Sequence, residues 1–447
     1  MQAEQILDQL NEQQREAVTS SGNNVIVVAG AGSGKTRVLV HRIAWLIDVE
    51  QIAPQNIFAV TFTNKAAKEM NSRVSDILGF ESKGMWIGTF HGIAHRFLRL
   101  HWSDAGLDQN FQILDADDQL RKVKKIIKES LFDESRYPPK EIVWYINSQK
   151  DLGLRPEKSK SKKGFEHFLD VYSSYEKLCR QNSFVDFGEL LLKFYETLIN
   201  NQKLLEHYRY RFENILVDEF QDTNEIQYQI IKLMTGEHGH AFIVGDDDQS
   251  IYRWRGANPD SMPRFRKDFA NIRSVKLEQN YRSTKNILNA ANSIISNNRG
   301  RLEKNLWTEE DNGPLIKLHQ NFDEYEEASN IIEVIESKSG RLKLSDIAIL
   351  YRSNAQSRVI EEALLRKSIP YRVYGGFRFF DRAEVKDALA YLRLTQNIAD
   401  DIAFERASSM PPKGIGSQTM DKVKKYASYE GLCLYVAADQ LIQSKSL

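Results

Sequence analysis

The segment that most constrains the fold of this chain is a glycine-rich turn placed directly after a short apolar run. Residues 29–36 read Ala-Gly-Ala-Gly-Ser-Gly-Lys-Thr, and they follow Val-Ile-Val-Val at residues 25–28. Apolar residues then recur at helical spacing up to Ile47. A buried strand, a glycine loop and a helix in this order form a phosphate-binding loop, because the glycines let backbone N–H groups turn toward phosphate oxygens. We therefore predict that Lys35 reaches the β- and γ-phosphates of a nucleotide and that the Thr36 hydroxyl ligates Mg²⁺.

Length, charge and cysteine content limit the classes of protein to which the chain can belong. Its 447 residues predict more than one domain, and 41% hydrophobic with 27% charged residues is typical of a soluble globular chain. The formal net charge of zero gives no overall basic signal, although local basic patches suffice for nucleic-acid binding. Two cysteines, Cys179 and Cys433, are too few for a disulfide framework or a zinc site and favour a reducing, cytoplasmic location. The N-terminal residues lack a signal-peptide core and no apolar run reaches the length of a membrane span, so we expect no membrane partner.

Short apolar runs bounded by polar turns occur in the first part of the chain, and each is followed by a helical pattern. This succession predicts a parallel α/β fold. From about residue 91 to residue 211 the patterns become almost entirely helical, which predicts an inserted helical subdomain. The predicted strands of this first α/β region lie at residues 25–28, 57–62, 86–90, 215–217 and 241–244.

A second α/β series is predicted to begin near Ser274, and the pattern turns helical again after Gly375-Gly376. The predicted helices of this series lie near residues 284–298, 324–338 and 356–367. Its predicted strands lie at residues 274–277, 315–318, 346–351 and 371–374.

Two adjacent carboxylates end an apolar run in the segment Ile-Leu-Val-Asp-Glu-Phe-Gln-Asp-Thr-Asn at residues 215–224. Asp218 is predicted to hold Mg²⁺, directly or through water, and Glu219 to orient and deprotonate the attacking water. Successive side chains at a strand end point in different directions, so the two carboxylates can take both roles. Taken alone, the pair is equally consistent with two surface acids; the phosphate-binding loop favours the catalytic assignment.

Residues 245–257 read Gly-Asp-Asp-Asp-Gln-Ser-Ile-Tyr-Arg-Trp-Arg-Gly-Ala after a further apolar run. Gln249 carries an uncharged donor suited to sensing a γ-phosphate. Tyr252, Trp254 and Arg255 form an aromatic and cationic cluster, in which Trp254 can stack on a base and Arg255 can meet a phosphate. The alternative assignment for Trp254 is a core residue.

Residues 277–284 read Leu-Glu-Gln-Asn-Tyr-Arg-Ser-Thr. Arg282 is a candidate arginine finger that stabilises negative charge at the γ-phosphate, with a structural salt bridge as the alternative. Tyr281 could stack on adenine. Near the N-terminus, the amide of Gln14 suits an adenine edge, with an exposed helix start as the alternative.

Together these segments resemble the UvrD/PcrA/Rep-type superfamily 1 DNA helicases. The resemblance extends from Gln5 to about Gln418, and its motifs are highly specific in combination. The segments that carry it are residues 60–70 (Val-Thr-Phe-Thr-Asn-Lys-Ala-Ala-Lys-Glu-Met), 88–92 (Gly-Thr-Phe-His-Gly), 217–224 and 245–257.

The resemblance implies two RecA-like domains, each with an inserted helical subdomain, and ATP bound in the cleft between them. It assigns residues 1–90 and 212–276 to the first RecA-like, ATP-binding domain and residues 91–211 to its insertion. Residues 277–376 would form the first part of the second RecA-like domain, and residues 377–447 the start of its insertion. The family's later C-terminal motifs are expected to be absent, so we expect the chain to be the N-terminal part of a longer helicase.

The resemblance also assigns roles at the nucleotide. It implies that Gln14 reads adenine and that Arg37 and Tyr281 sandwich it. The implied catalytic residues are Lys35, Asp218, Glu219, Gln249 and Arg282, with Thr36 and Asp218 at Mg²⁺. The implied ATP-binding residues are Gln14, Ala29, Gly30, Ala31, Gly32, Ser33, Gly34, Lys35, Thr36, Arg37, Tyr281 and Arg282.

Single-stranded DNA and duplex junctions are the implied partners. Gly414 and Gly416 would hold a duplex phosphate at a helix N-terminus, with a plain turn as the alternative. The implied contacts to single-stranded DNA are Phe62, Thr63, His91, Phe187, Tyr252, Trp254, Arg255, Arg352 and Asn354.

The function implied by the resemblance is an ATP-dependent 3′–5′ DNA helicase and translocase acting in repair or replication. Two alternatives stay open at this point. One is an ATPase that remodels nucleoprotein filaments with little strand separation. The other is a module that binds nucleotide and DNA without turnover. A small-molecule kinase is disfavoured by the aromatic motifs.

Overall fold

The apolar runs near the N-terminus form a parallel sheet. The computed structural model describes residues 3–80, 84–130, 132, 136–159, 166–298, 300–302, 304–374 and 383–444. Its strands are β1 (Asn24–Ala29), β2 (Ile57–Thr61), β3 (Trp86–Thr89), β4 (Gln112–Ile113), β5 (Phe184–Val185), β6 (Asn214–Val217), β7 (His240–Gly245) and β8 (Ile272–Leu277).

Six of these strands share one sheet in the order β3-β2-β6-β7-β1-β8, and every adjacent pair is parallel. The parallel α/β prediction is therefore confirmed. Because all six strands run in one direction, the loops that follow them meet at one edge of the sheet, where open α/β sheets place their ligands.

The segment Ser274–Leu277 forms a strand as predicted, but its assignment to a second α/β series was wrong. It lies in β8, which pairs with β1 along its whole length, from Asn24 opposite Ile272 to Ala29 opposite Leu277. The physical reason is that the strand's neighbour is set by long-range pairing, which the local apolar pattern does not encode.

Helices lie between successive strands along the chain and follow the last strand, β8. In chain order they are α1 (Ala3–Leu7), α2 (Glu12–Val18), α3 (Lys35–Asp48), α4 (Asn64–Leu78), α5 (Phe90–Leu100), α6 (Ala116–Glu129), α7 (Pro139–Asp151), α8 (Glu166–Gln181), α9 (Phe187–Asn200), α10 (Gln202–Arg211), α11 (Glu225–Thr235), α12 (Ser261–Asp268), α13 (Lys285–Ile295), α14 (Glu324–Lys338), α15 (Ser357–Arg366), α16 (Ala383–Gln396), α17 (Asp401–Ser409), α18 (Ser417–Glu430) and α19 (Leu434–Gln443). Among the described residues, no helix is both long enough and apolar enough to cross a membrane.

Both faces of the sheet are buried. Val25 and Val27 of β1 pack in a cluster that includes α3, whereas Ile26 and Val28 pack in a cluster that includes α5, α9 and α11. Successive side chains of a strand point to opposite faces. Burial on both faces explains why the strand sequences are continuous apolar runs.

The helices α6 to α10 lie in the region that the sequence predicts as a helical insertion, and a buried charge network links three of them, α7, α8 and α9. The Lys150 ammonium lies 2.8 Å from Glu176 Oε1 and Asp186 Oδ2 and 2.9 Å from Glu189 Oε2. Arg155 forms ion pairs with Glu176 and Glu189 as well. Burial opposes the charge of Lys150, but attraction to the three carboxylates outweighs it and raises the pKa of Lys150 well above its usual value. The short parallel pair β4–β5 in this region was not predicted.

The chain divides into two compact units, Met1–Ile316 and Lys317–Leu447. The second unit contains α14 to α19. Ile332 and Ile335 of α14 pack with Leu364 of α15, and Ile347 and Ile349 pack against this cluster.

Three segments that the sequence predicts as strands, residues 315–318, 346–351 and 371–374, form no strand in the described part of the chain. Side chains near residue 349 alternate with the period of a strand, since Ile349 packs against helices while Leu350 is 90% exposed. A strand also requires backbone hydrogen bonds to a neighbouring strand. No such inter-strand pairing reaches these segments from the described residues. Gly375-Gly376 and the domain boundary predicted after residue 376 lie outside the described residues.

The charge network makes a prediction about stability. Lys150→Met leaves the buried Asp186 without its ion-pair partner and leaves Glu176 and Glu189 with Arg155 alone. Breaking a buried pair in this way costs about 3–5 kcal/mol. We expect a loss of this size in the free energy of unfolding, measured by urea denaturation. The control Lys177→Met replaces an exposed lysine of α8 and should change stability by less than about 0.5 kcal/mol. Equal effects of the two variants would contradict the prediction.

Candidate functional site

The phosphate-binding loop joins β1 to α3, as the sequence predicts. Gly32 and Gly34 adopt φ angles of +68° and +89°, which favour glycine. At Gly32 a Cβ atom would also lie 2.6 Å from Asn280 Nδ2, so the position tolerates no side chain. Because α3 begins at Lys35, its free N–H groups and the positive end of its dipole face the loop, which suits an anion.

A cavity of about 360 Å³ opens beside this loop. It collects predicted site residues from four strand ends together with one arginine that was not predicted, Arg73 of α4. The lining residues are Ala31, Gly32, Gly34, Lys35, Thr36, Arg37, Arg73, Glu219, Gln249, Tyr281 and Arg282.

Glu219 is the acidic residue that faces the cavity. Its Oε2 atom accepts hydrogen bonds from Lys35 Nζ at 2.9 Å and from Gln221 Nε2 at 2.8 Å. Its backbone is left-handed, with φ +49°, which is unusual for a residue with a side chain. The two donors and this backbone together hold one carboxylate beside the lysine of the phosphate-binding loop.

Asp218 directly follows β6, one residue before Glu219, and is almost fully buried. Burial, followed by the neighbouring Glu219 charge, raises the pKa of Asp218 to about 7, against the opposing effect of Lys35. The two adjacent carboxylates therefore differ: Glu219 is hydrogen-bonded at the cavity, and Asp218 is a buried acid whose charge depends on pH near neutrality.

Gln249 and Arg282 enter the cavity from the loops after β7 and β8. Gln249 Nε2 donates to Asp246 Oδ2 at 2.5 Å. The backbone N–H of Arg282 donates to Asn280 Oδ1 at 2.8 Å, and Asn280 Nδ2 donates to the Ala31 carbonyl at 2.6 Å. Asn280 thus ties the arginine loop to the phosphate-binding loop.

Several predicted ATP-binding residues shape the loop and do not line the cavity. Gln14 is fully buried, donates to the Ser33 carbonyl at 3.0 Å and accepts from the Asn11 N–H at 3.1 Å, so its amide is engaged by the backbone. Ser33 in turn donates to the Gly30 carbonyl, and Ala29 ends β1. The adenine contact assigned to Gln14 remains a prediction.

Tyr281 and Arg37, the predicted adenine sandwich, both border the cavity. The Tyr281 hydroxyl accepts from Asn11 Nδ2 at 2.7 Å and donates to Gln279 Oε1 at 2.8 Å, while 47% of the residue is exposed. A half-exposed ring held at its hydroxyl end is suited to stacking.

An aromatic surface lies at the same sheet edge, defined by Phe62, Tyr252, Trp254 and Arg255. The rings of Phe62 and Tyr252 stack with centroids 4.8 Å apart, and the Arg255 guanidinium lies 4.8 Å from the Trp254 ring centroid. Trp254 is 69% exposed, which excludes the alternative assignment to the core. An exposed tryptophan and two stacked, half-buried rings beside a cation suit stacking against nucleic-acid bases.

His91 and Phe187 form a second aromatic pair, with ring centroids 6.1 Å apart and nearly perpendicular planes. Burial lowers the pKa of His91, which favours its neutral form, while Phe187 is 52% exposed. Thr63 is exposed, and its hydroxyl accepts from the Ala66 N–H as the N-cap of α4. A DNA contact by Thr63 remains a prediction.

The remaining predicted DNA contacts belong to the second unit. Arg352 and Asn354 are exposed in the segment that precedes α15, and Gly414 and Gly416 precede α18. Gly414 has φ +75°, and Gly416 is the N-cap residue of α18. Their DNA contacts remain predictions.

Comparison with known families identifies the fold that carries these loops. The family model described as the UvrD/REP helicase N-terminal domain matches residues 10–270, more than half of the chain. The chain belongs to the UvrD/REP helicase family. A second family model, the UvrD-like helicase C-terminal domain, matches residues 275–446. The expectation that the chain lacks the family's C-terminal motifs is therefore wrong, because the C-terminal domain is present.

Individual relatives agree with this assignment. The chain is 53% identical to DNA helicase II of Escherichia coli (strain K12) over 450 residues, which cover 100% of this chain and 62% of the relative. It is 45% identical to ATP-dependent DNA helicase PcrA of Bacillus subtilis (strain 168) over 442 residues, which cover 98% of this chain and 60% of the relative. The chain thus spans about three fifths of the length of the curated relatives it matches.

Three residues of the candidate site were missed by sequence reasoning. Arg73 faces the cavity from α4, whose N-terminus follows directly after β2; that position was the available signal. Gln221 bonds Glu219, and Asn280 bonds the phosphate-binding loop. Gln221 and Asn280 lie inside the quoted segments 215–224 and 277–284. The sequence around an amide side chain does not show whether it will hydrogen-bond within the site or lie on the surface.

The raised pKa of Asp218 predicts how stability depends on pH. A carboxyl that is protonated in the folded state and ionised in the unfolded state makes the folded protein less stable as pH rises toward the folded pKa, here about 7. Asp218→Asn removes this loss. We expect the stability of the variant relative to the wild type to increase between pH 5 and 7, by at most about 1.4 kcal/mol per pH unit, and to level off above pH 7. Urea denaturation at five pH values measures it, with the exposed Asp260→Asn as control. Parallel pH curves for the wild type and Asp218→Asn would contradict the prediction.

Proposed function

We propose that the protein is an ATP-dependent DNA helicase and translocase that moves 3′–5′ on single-stranded DNA. The observation that carries the proposal is the shared loop after β7. Gln249 lines the cavity of the phosphate-binding loop, and Trp254, five residues later, is exposed on the aromatic surface. One short loop therefore spans the predicted nucleotide site and the predicted DNA site, as a motor requires.

In the proposed mechanism, Lys35, Arg73 and Arg282 bind the phosphates and stabilise the negative charge of the transition state. Glu219 accepts a proton from the attacking water, and Gln249 contacts the γ-phosphate. Thr36 and Asp218 supply oxygen donors of the type that Mg²⁺ prefers. When bound there, Mg²⁺ would neutralise charge on the phosphate oxygens.

Base stacking on the aromatic surface supplies the grip on DNA. Stacking contributes about 1–3 kcal/mol per base and accepts every base. That magnitude holds a strand while allowing the contact to break in each cycle. The family resemblance supports the 3′–5′ direction, a role in DNA repair or replication in the cytoplasm, and action at duplex junctions. It also supports the division into domains at residues 1–90 with 212–276, 91–211, 277–376 and 377–447.

Phosphate release with and without single-stranded DNA tests the proposal. We expect DNA-stimulated hydrolysis by the wild type. Glu219→Gln should keep nucleotide binding and lose hydrolysis, because only the base is removed. Lys35→Ala should weaken nucleotide binding, because it removes the main positive charge at the phosphates. Binding of both ligands without turnover by the wild type would favour a non-catalytic module, and equal loss of ATP affinity in the two variants would overturn these roles.

Trp254→Ala tests the foothold on DNA. We expect a loss of about 1–3 kcal/mol in single-strand affinity, measured by fluorescence anisotropy, with an unchanged melting temperature because the ring is exposed. At saturating DNA a sizeable part of the ATPase activity should remain, whereas unwinding should be poor. Trp144→Ala is the matched control, since Trp144 is 67% exposed on α7. Normal DNA affinity in Trp254→Ala would remove this residue from the DNA path.

A further inference from the structure

Lys304 is a buried lysine to which neither the sequence motifs nor the proposed mechanism assigns a role. It is 7% exposed. Its ammonium lies 2.8 Å from Asp246 Oδ1, 2.5 Å from Asp247 Oδ1 and 2.8 Å from Asp248 Oδ2. Arg301 adds an ion pair to Asp248 at 2.6 Å. Three consecutive carboxylates at the end of β7 are therefore neutralised by one short segment of the chain.

These carboxylates could by their spacing hold a metal ion, but Lys304 already supplies the positive charge at their centre. Burial opposes the charge of the lysine, whereas hydrogen bonds to Asp246, Asp247 and Asp248 outweigh this effect and raise the pKa of Lys304. The ammonium therefore persists at neutral pH. The cluster is an ion-pair network and not a cation site.

The same carboxylates position the predicted γ-phosphate sensor. Asp246 Oδ2 accepts from Gln249 Nε2 at 2.5 Å, while Asp246 Oδ1 accepts from Lys304. The backbone N–H of Asp246 donates to Gln221 Oε1 at 2.9 Å, and Gln221 donates onward to Glu219. One aspartate thus connects Lys304 to both the sensing amide and the predicted base.

The segment around Lys304 also touches two other loops of the cavity, the phosphate-binding loop and the loop after β8. A Cβ atom on Gly30 would lie 2.1 Å from Leu306 Cδ2, so Leu306 packs directly on the phosphate-binding loop. The Trp307 carbonyl accepts from the Asn280 N–H at 2.8 Å, in the loop that carries Arg282. The described residues of this segment therefore contact the three loops, after β1, β7 and β8, that carry the predicted phosphate-contacting groups Lys35, Gln249 and Arg282.

We propose that Lys304 is a positioning residue for ATP hydrolysis, acting through Asp246 to hold Gln249 toward the γ-phosphate. The inference rests on the proposed function, since Gln249 senses phosphate only if the chain hydrolyses ATP. Without the ammonium, the Asp246 carboxylate loses one of three partners, which are Lys304, the Gln249 amide and the Asp248 N–H, and repels Asp247 and Asp248. The turn that carries Gln249 then loses its fixed geometry, whereas the phosphate-binding loop and Lys35 remain.

The test compares Lys304→Met with Lys304→Arg and with Lys267→Met, which replaces an exposed lysine of α12. DNA-stimulated phosphate release gives kcat and KM, and melting curves monitor folding. We expect kcat of Lys304→Met to fall at least tenfold with KM for ATP changed less than threefold. Lys304→Arg should recover much of kcat, and Lys267→Met should match the wild type. A raised KM with unchanged kcat would overturn the inference.

A double-mutant cycle with Gln249→Ala separates positioning from general damage. If Lys304 acts through Gln249, Lys304→Met should lower kcat less than threefold in the Gln249→Ala background. An equal fold-loss in both backgrounds would overturn the inference. If Lys304→Met does not fold, it is combined with Asp247→Asn and Asp248→Asn. These substitutions remove two of the three negative charges that face Lys304, and the combined variant is measured in the same cycle. Absence of turnover in the wild type would overturn the proposed function as well, whereas normal turnover with an additive cycle would overturn this inference alone.

Discussion

The parallel alignment of six strands is the constraint on which the rest of the site depends. Because all strands point the same way, the segments after β1, β2, β3, β6, β7 and β8 emerge at one edge. These segments carry, in turn, the phosphate-binding loop, Phe62, His91, the two carboxylates, the sensing glutamine with the aromatic residues, and Arg282. Residues spread over more than 250 positions thus come together without any long loop. The hydrogen bonds between the strands fix the positions of these segments more precisely than flexible connections could.

Charge in this chain is organised locally, although its formal net charge is zero. Lys150 and Arg155 in the insertion and Lys304 beside β7 are buried cations that each form ion pairs with several carboxylates. Such networks are poor sources of net stability, because desolvation consumes much of the attraction. Their value is geometric: a buried ammonium with three acceptors tolerates few alternative arrangements. A balanced overall composition therefore conceals sites in which one missing charge would be costly.

Sequence reasoning succeeded where the chemistry is local and failed where it is not. The phosphate-binding loop, Glu219 and Gln249 line one cavity because each follows a short buried strand, a pattern that neighbouring residues specify. Their roles remain predictions. The segments at residues 315–318, 346–351 and 371–374 were expected to be strands but are not strands in the part of the chain that the structure describes, since pairing depends on a distant partner. The buried contacts of Gln14 and Lys304 gave no signal for the same reason. From sequence alone, an amide or a lysine is expected at the surface, and only the folded structure shows that it is buried.

The backbone of Glu219 shows how the site and the fold make different demands on one position. A left-handed conformation costs a residue with a side chain about 1–3 kcal/mol, a cost that glycine avoids. The chain nevertheless places a glutamate there, and its carboxylate accepts the bonds of Lys35 and Gln221, which glycine could not do. Selection for a more stable fold and selection for chemistry would thus choose opposite residues at this point. Attempts to raise the thermal stability of the protein by relieving strained backbone should therefore leave this residue untouched.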